Sequence, residues 1–190
     1  MREDTAVLTI EAELEALIAS LPHLPPEEKA KVLKKLASRV ELGEKDKARN
    51  EFMEFTPQVW PDFIGGRHHA KMAKAFERVA NGECKRLIIN MPPRHTKSEF
   101  ASYLLPAWFL GKYPHKKIIM SSHTADLAVN FGRRVRNLVS SDPYKNIFPQ
   151  VELQADSKSA SRWGTNFQGE YFAIGVGGAL AGRGADLFII

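Results

Sequence analysis

Strand-sized apolar runs that alternate with helical patterns constrain this 190-residue chain more than any other feature. Arg86-Leu87-Ile88-Ile89-Asn90 is a short continuous apolar run and reads as a buried strand. A loop, Met91 to Thr96, follows it, and Lys97-Ser98-Glu99 opens a helix that runs to Leu110. Lys117-Ile118-Ile119-Met120-Ser121-Ser122 reads as a second strand, and Ser122 or Thr124 caps a helix from Ala125 to about Ser140. Trp163-Gly164-Thr165-Asn166 and Gln168-Gly169-Glu170-Tyr171 read as a hairpin. A glycine-rich loop, Gly175 to Gly184, then leads into Ala185-Asp186-Leu187-Phe188-Ile189-Ile190, a third buried strand. Strand, loop, helix, strand and helix in succession is the grammar of a parallel α/β sheet, with ligand sites at strand C-terminal ends.

The first fifty residues follow a different pattern. Val7, Leu8, Ile10, Leu14, Leu17 and Ile18 recur at helical spacing among glutamates. A proline-rich break, Leu21 to Pro26, precedes a second helix whose apolar positions are Val32, Leu33, Leu36, Val40 and Leu42, with Gly43 as its expected stop. A third helix is predicted from Lys45 to Phe55, ended by Thr56-Pro57, and a fourth from His68 to Ala80, ended by Asn81-Gly82. The expected organisation is a helical N-terminal region, 1–50, followed by an α/β domain over 51–190. Charge divides the same way, net −1 over residues 1–50 and net +6 over residues 51–190, and a basic second part suits a polyanionic partner.

Three observations narrow the cellular setting. No apolar run approaches the ~20 residues that cross a bilayer, so no membrane is expected. The Met-Arg-Glu-Asp start carries acids where a signal peptide carries bases. Cys84 is the single cysteine, which excludes an internal disulfide. A cytoplasmic protein is expected.

The loop after the first predicted strand carries the chemistry. Met91-Pro92-Pro93-Arg94-His95-Thr96-Lys97-Ser98 occupies the position of a phosphate-binding loop, G-x-x-x-x-G-K-[ST]. Lys97 and Ser98 match its last two positions, while Met91 and Thr96 stand where glycines belong. A lysine at a helix start reaches β- and γ-phosphates, the adjacent hydroxyl binds Mg²⁺, and helix N-terminal amides cradle the anion. Arg94 adds a guanidinium whose fork matches phosphate oxygens. Thr96 runs against the pattern, because a β-branched residue resists the backbone angles and close phosphate approach that glycine permits. The competing reading of Lys97-Ser98 is an ordinary helix start after a proline-rich turn.

Met91-Pro92-Pro93-Arg94-His95-x-Lys97-Ser98-Glu99, with Pro106-Ala107-Trp108-Phe109-Leu110-Gly111 after it, resembles the large terminase subunit of tailed bacteriophages and prophages. Ala125-Asp126-Leu127-Ala128, Phe131 to Leu138 and Gly175 to Asp186 extend the resemblance over roughly residues 50–190. It implies the N-terminal ATPase portion of an ATP-driven motor that moves DNA into procapsids, in a P-loop NTPase-type sheet flanked by helices and incomplete at its C-terminus. It implies ATP and Mg²⁺ as cofactors, with Pro93, Arg94, His95, Thr96, Lys97 and Ser98 around the nucleotide. Lys97 and Arg94 would contact phosphates and Ser98 would hold Mg²⁺. Arg183 would reach a neighbouring subunit's ATP as a finger, from a loop expected at the C-terminal side of the sheet. Partners implied are double-stranded DNA, a portal protein, a small terminase subunit and further copies of the full-length protein in a ring.

The same resemblance places two acids directly after the last strand, one for Mg²⁺ and one for the attacking water, and a nuclease domain beyond them. The sequence stops at Ile190, and Asp186 precedes the strand at its opposite end, so a truncated and catalytically silent chain is expected. The alternative is a non-catalytic binding module docking on the small terminase subunit or the portal, or a prophage relic. The resemblance also sets Gln58, Trp60 or His69 against an adenine base, with packing as the other role for this segment. His68-His69 lacks further ligands at metal spacing. Arg133 and Arg136 share a helix side that is either a DNA-contacting or a solvated basic face. Trp108, Phe109 and Trp163 are expected in the core.

Overall fold

The computed structural model describes residues 19, 21–155, 159–180 and 182–190. The predicted helix over residues 7–20 lies outside these, Ala19 apart. The chain divides into two compact units, Met1–Glu44 and Lys45–Ile190. A 3₁₀ turn, Leu21–His23, precedes helix α1, Pro26–Asn50, which begins on Pro26, Glu27 and Glu28 in the first unit and whose residues from Lys45 onward belong to the second. Gly43 does not stop this helix. It sits within α1 among glutamates and lysines that favour helix, with open space around its Cα. The apolar stripe of α1 stays largely uncovered: Leu33, Val40 and Leu42 are exposed.

The second unit is mixed α/β. Helix α2, Phe52–Val59, contains Thr56 and Pro57 rather than ending before them. The break falls one turn earlier than predicted, at Glu51, whose extended backbone (φ −117°, ψ 120°) caps α2. The Phe52 amide donates to Glu77 of α3, Arg67–Ala80, at 2.8 Å. Gly82, at φ +80°, closes α3 in the left-handed conformation that glycine adopts without strain.

Four strands form one open sheet in the order β2-β3-β1-β4. These are β1 (Lys117–Ser122), β2 (Arg162–Gly164), β3 (Glu170–Gly175) and β4 (Leu187–Ile189). Strand β1 runs parallel to both neighbours, with Ile118 opposite Tyr171 and Leu187, and β2 pairs antiparallel with β3. The hairpin and the second and third predicted strands are therefore present. The first is not. Residues 86–90 form no strand, and Leu87 and Ile88 lie exposed (38% and 85%). An apolar run becomes a buried strand only with a neighbour to pair with, and none of the four strands reaches this one.

Helix α5, Ala125–Val139, packs on β1 and β3, its first turn closed by Thr124 Oγ1 accepting from the Leu127 amide. Gly132 of α5 lies so close to the Ala160 carbonyl and the Tyr171 ring that a Cβ would not fit. Trp163 stacks on Tyr171 (centroids 5.0 Å apart, planes 6° from parallel) and donates Nε1–H to the Gly132 carbonyl. Helices α4 (Leu105–Lys112) and α6 (Asp142–Ile147) pack against α5 and complete an aromatic core. Tyr144 donates its hydroxyl to the Ala107 carbonyl, and Trp108 its indole N–H to that of Ala48. Trp108, Phe109 and Trp163 are buried, as the sequence indicates.

Candidate functional site

The loop Met91–Ser98 joins the unpaired segment to a helical run that begins at Lys97, passes through a π-helical segment, Glu99–Leu104, and continues as α4. Two of its residues that are not glycine have left-handed backbones, Arg94 at φ +63° and Thr96 at φ +58°. Such angles cost L-residues free energy, most of all a β-branched one, and persist only where surrounding contacts impose them. At Thr96 the contacts are evident. Its carbonyl accepts from the Phe100 amide at 2.9 Å, and its hydroxyl is held between His69 and the His95 carbonyl.

His69 is the buried support of the loop. Its ring lies against Phe63 and Phe100, each with centroids 4.9 Å away, and against His68 at 3.8 Å. Nδ1 accepts from the Gly66 amide at 2.9 Å, so the neutral ring carries its proton on Nε2 and donates it to Thr96 Oγ1, 2.6 Å distant. Thr96 Oγ1 in turn donates to the His95 carbonyl at 2.7 Å. The hydrogen bonds run in one direction from Gly66 to His95 and fix the threonine where a glycine is the ordinary occupant. The sequence singled out both His69 and Thr96 without connecting them; they are 27 residues apart and only the fold joins them.

Burial, and secondarily the charge of His68, hold the His69 imidazole below its ordinary value of 6.5. The unfolded chain therefore takes up this proton at higher pH than the folded one. Stability contributed by neutral His69 is complete above pH 6.5 and is lost as pH falls through the lower folded value. We expect denaturant midpoints that are flat above neutrality and decline in acid, with the decline reduced in His69→Gln. A ring titration by NMR at or above 6.5 would contradict this.

Lys97 Nζ reaches back across the loop to the Met91 carbonyl at 3.3 Å. Arg94, His95 and Ser98 are exposed, with His95 Nδ1 2.9 Å from the Pro93 carbonyl. Beside the loop is an open hollow of about 440 Å³ lined by Ile89 to Pro92 and Lys97. The structure thus gathers Pro93, Arg94, His95, Thr96, Lys97 and Ser98 in one curl. Glu99, directly after it, forms a two-pronged ion pair with Arg134 of α5, whose guanidinium also lies 4.3 Å over the Tyr103 ring. Local sequence does not mark Arg134 for this role, because its partner lies 35 residues away and only the fold joins them.

Arg183 is not part of this cluster. The loop that carries it crosses from the C-terminal end of β3 to the start of β4. Its guanidinium pairs with Glu170, the first residue of β3, at 3.3 Å and lies 4.1 Å over Phe172. That is the N-terminal side of the parallel strands, opposite to the side expected. Asp186 is at the same end, its carboxylate accepting from the Lys117 amide at 2.8 Å. Gln58 is exposed, and Trp60 packs on Phe63 (5.5 Å).

Among the described residues, no group of three or more His, Cys, Asp or Glu side chains is placed to hold a metal ion. Among them, too, no helix is long and apolar enough to cross a membrane. No known protein family, curated protein or solved structure matches this chain.

Proposed function

We propose that the loop Met91–Ser98 binds the phosphates of Mg-ATP, in a P-loop-type fold. The observation that supports this best is the curl itself: left-handed Arg94 and Thr96, the threonine held by His69, with Lys97 folded back over the loop at the start of a helix. Anion recognition of this kind needs backbone amides turned inward and a lysine within reach of them. Lys97 would leave the Met91 carbonyl for the β- and γ-oxygens, and Arg94, free in solvent beside it, would clamp a second edge. The exposed Ser98 hydroxyl would hold Mg²⁺, which neutralises phosphate charge when bound. Glu99 and Arg134 would keep the helix start in place.

In the wider reading, the chain is the ATPase portion of a large terminase subunit in the cytoplasm, working on double-stranded DNA with a portal protein, a small terminase subunit and copies of itself. Arg183 would act there on a neighbouring subunit's nucleotide, after release from Glu170.

Titration calorimetry of the purified chain with Mg-ATP tests the binding step. Saturable one-site binding, displaced by Mg-ADP and slowing hydrogen exchange over residues 91–98, is expected. Absence of heat and of protection at millimolar nucleotide would rule the reading out.

A further inference from the structure

Helix α3 buries His69, Met72, Ala73, Phe76 and Ala80 along one side. Its other side is almost wholly cationic. Arg67, Lys71, Lys74 and Arg78 are all exposed, and Ala70 is the only other exposed residue of the helix. At about 100° per residue the four cations fall within about 60° of one another around the axis, a straight ridge about 16 Å long. The helix has one carboxylate, Glu77, and it is engaged elsewhere, accepting from the Phe52 amide at 2.8 Å. Among the described residues Arg67, Lys71 and Lys74 make no ion pair, and Arg78 makes a long one, to Glu83 at 3.9 Å.

A helix face that only meets water ordinarily sets acids and bases one turn apart. This one sets Arg67 against Lys71 and Lys74 against Arg78, like charges at i, i+4, which oppose the helix. Arg67 also stands in the first turn, where the macrodipole favours acids and this helix has none. Cations held in line against both effects match a row of negative charges outside the chain. The ridge offers no exposed aromatic or large apolar side chain, which a protein partner would need as an anchor and a single strand as a stacking platform. A polar, strongly positive surface is the usual complement of a duplex backbone. We propose that the exposed face of α3 binds the phosphates of a nucleic-acid duplex without regard to base sequence, one phosphate to each of Arg67, Lys71, Lys74 and Arg78. This places the contact on α3 and not on the Arg133 and Arg136 side of α5. It stands independently of nucleotide binding, so its test is run without nucleotide.

The probe is a fluorescein-labelled DNA duplex of about 20 base pairs and arbitrary sequence, titrated with the full chain by anisotropy at several salt concentrations. Binding is expected to be saturable, with log K falling against log salt at a slope of about −3.6, from four contacts at about 0.9 each. Lys71→Gln combined with Lys74→Gln is expected to reduce that slope by about 2 and to weaken binding at least tenfold at low salt. Its melting temperature should hold or rise, because like charges have been removed from one helix face. Lys71→Arg combined with Lys74→Arg should bind as the parent chain does, and Arg133→Gln should leave the slope unaltered. Failure of the duplex to bind overturns the proposal, as does a slope that the double glutamine variant leaves unaltered. An Arg133→Gln slope reduced as far as that of the double variant overturns it in favour of α5. Displacement of the duplex by poly-glutamate at equal charge concentration overturns it in favour of an acidic protein partner. Tighter binding of the separated single strands overturns it in favour of single-stranded nucleic acid.

Discussion

Replacing Phe52 with alanine is expected to destabilise the chain by about 3–5 kcal/mol, near the top of the range for aromatic truncation in a core. Phe52 is fully buried and stands where four elements meet. Its ring meets Phe76 of α3 edge-on at 5.3 Å, Phe100 of the π-helical segment at 5.4 Å and Trp108 of α4 at 5.6 Å. Edge-to-face pairs add to the area term, so three are lost with one side chain. The cavity cannot collapse easily, because its walls are themselves large rings held by other contacts. For a unit of this size the melting temperature should fall by roughly 8–16 °C, measurable by calorimetry. Phe52→Leu, which keeps most of the volume, should cost well under half as much. A drop below about 1.5 kcal/mol for the alanine variant would show that the ring cluster is not what holds the helices together.

Lys97→Ala is expected to weaken Mg-ATP binding by roughly 10- to 150-fold, the equivalent of one hydrogen bond from a charged donor to phosphate. Stability should change little, since among the described residues Nζ makes only a long hydrogen bond, to the Met91 carbonyl. The contrast between the two measurements is the diagnostic. A lysine that merely opens a helix would shift the melt slightly and leave nucleotide affinity unaltered. Loss of affinity with an intact melt assigns Lys97 to the phosphates. Arg94→Ala should have the same sign and a smaller size, because its guanidinium lies in solvent and has more freedom to lose.

Where the chain carries its own local signal, sequence and structure agree. Thr124 ahead of Ala125 caps α5, Asn81-Gly82 ends α3, and Ile118 to Met120 form the central strand. Residues 86–90 have the same apolar signature as β1 but no neighbouring strand, and pairing depends on what lies alongside, which local pattern does not encode. Gly43 and Pro57 misled for a related reason. Both weaken a helix in isolation, but Gly43 has open space and flanking glutamates and lysines, and Pro57 is exposed in the last turn of α2, where few helical residues remain after it. The candidate loop was visible through Lys97-Ser98 and obscured by Thr96, whose unfavourable backbone is explained by a histidine on another helix. The side of the sheet that Arg183 occupies followed from the direction of a crossover, a topological fact that appears only once strand order is known.

The π-helical stretch Glu99–Leu104 sets the rotational phase of the whole phosphate-loop candidate. Such a stretch holds one residue more than the α-helix it interrupts, and one residue corresponds to about 100° around a helix axis. Ironed out to α geometry with Leu105 fixed, everything before it would swing by that angle, carrying Glu99 off Arg134 and Lys97 away from its present bearing. The ion pair to α5 therefore works as an index pin: it keeps the helix at the phase in which the lysine overlooks the loop.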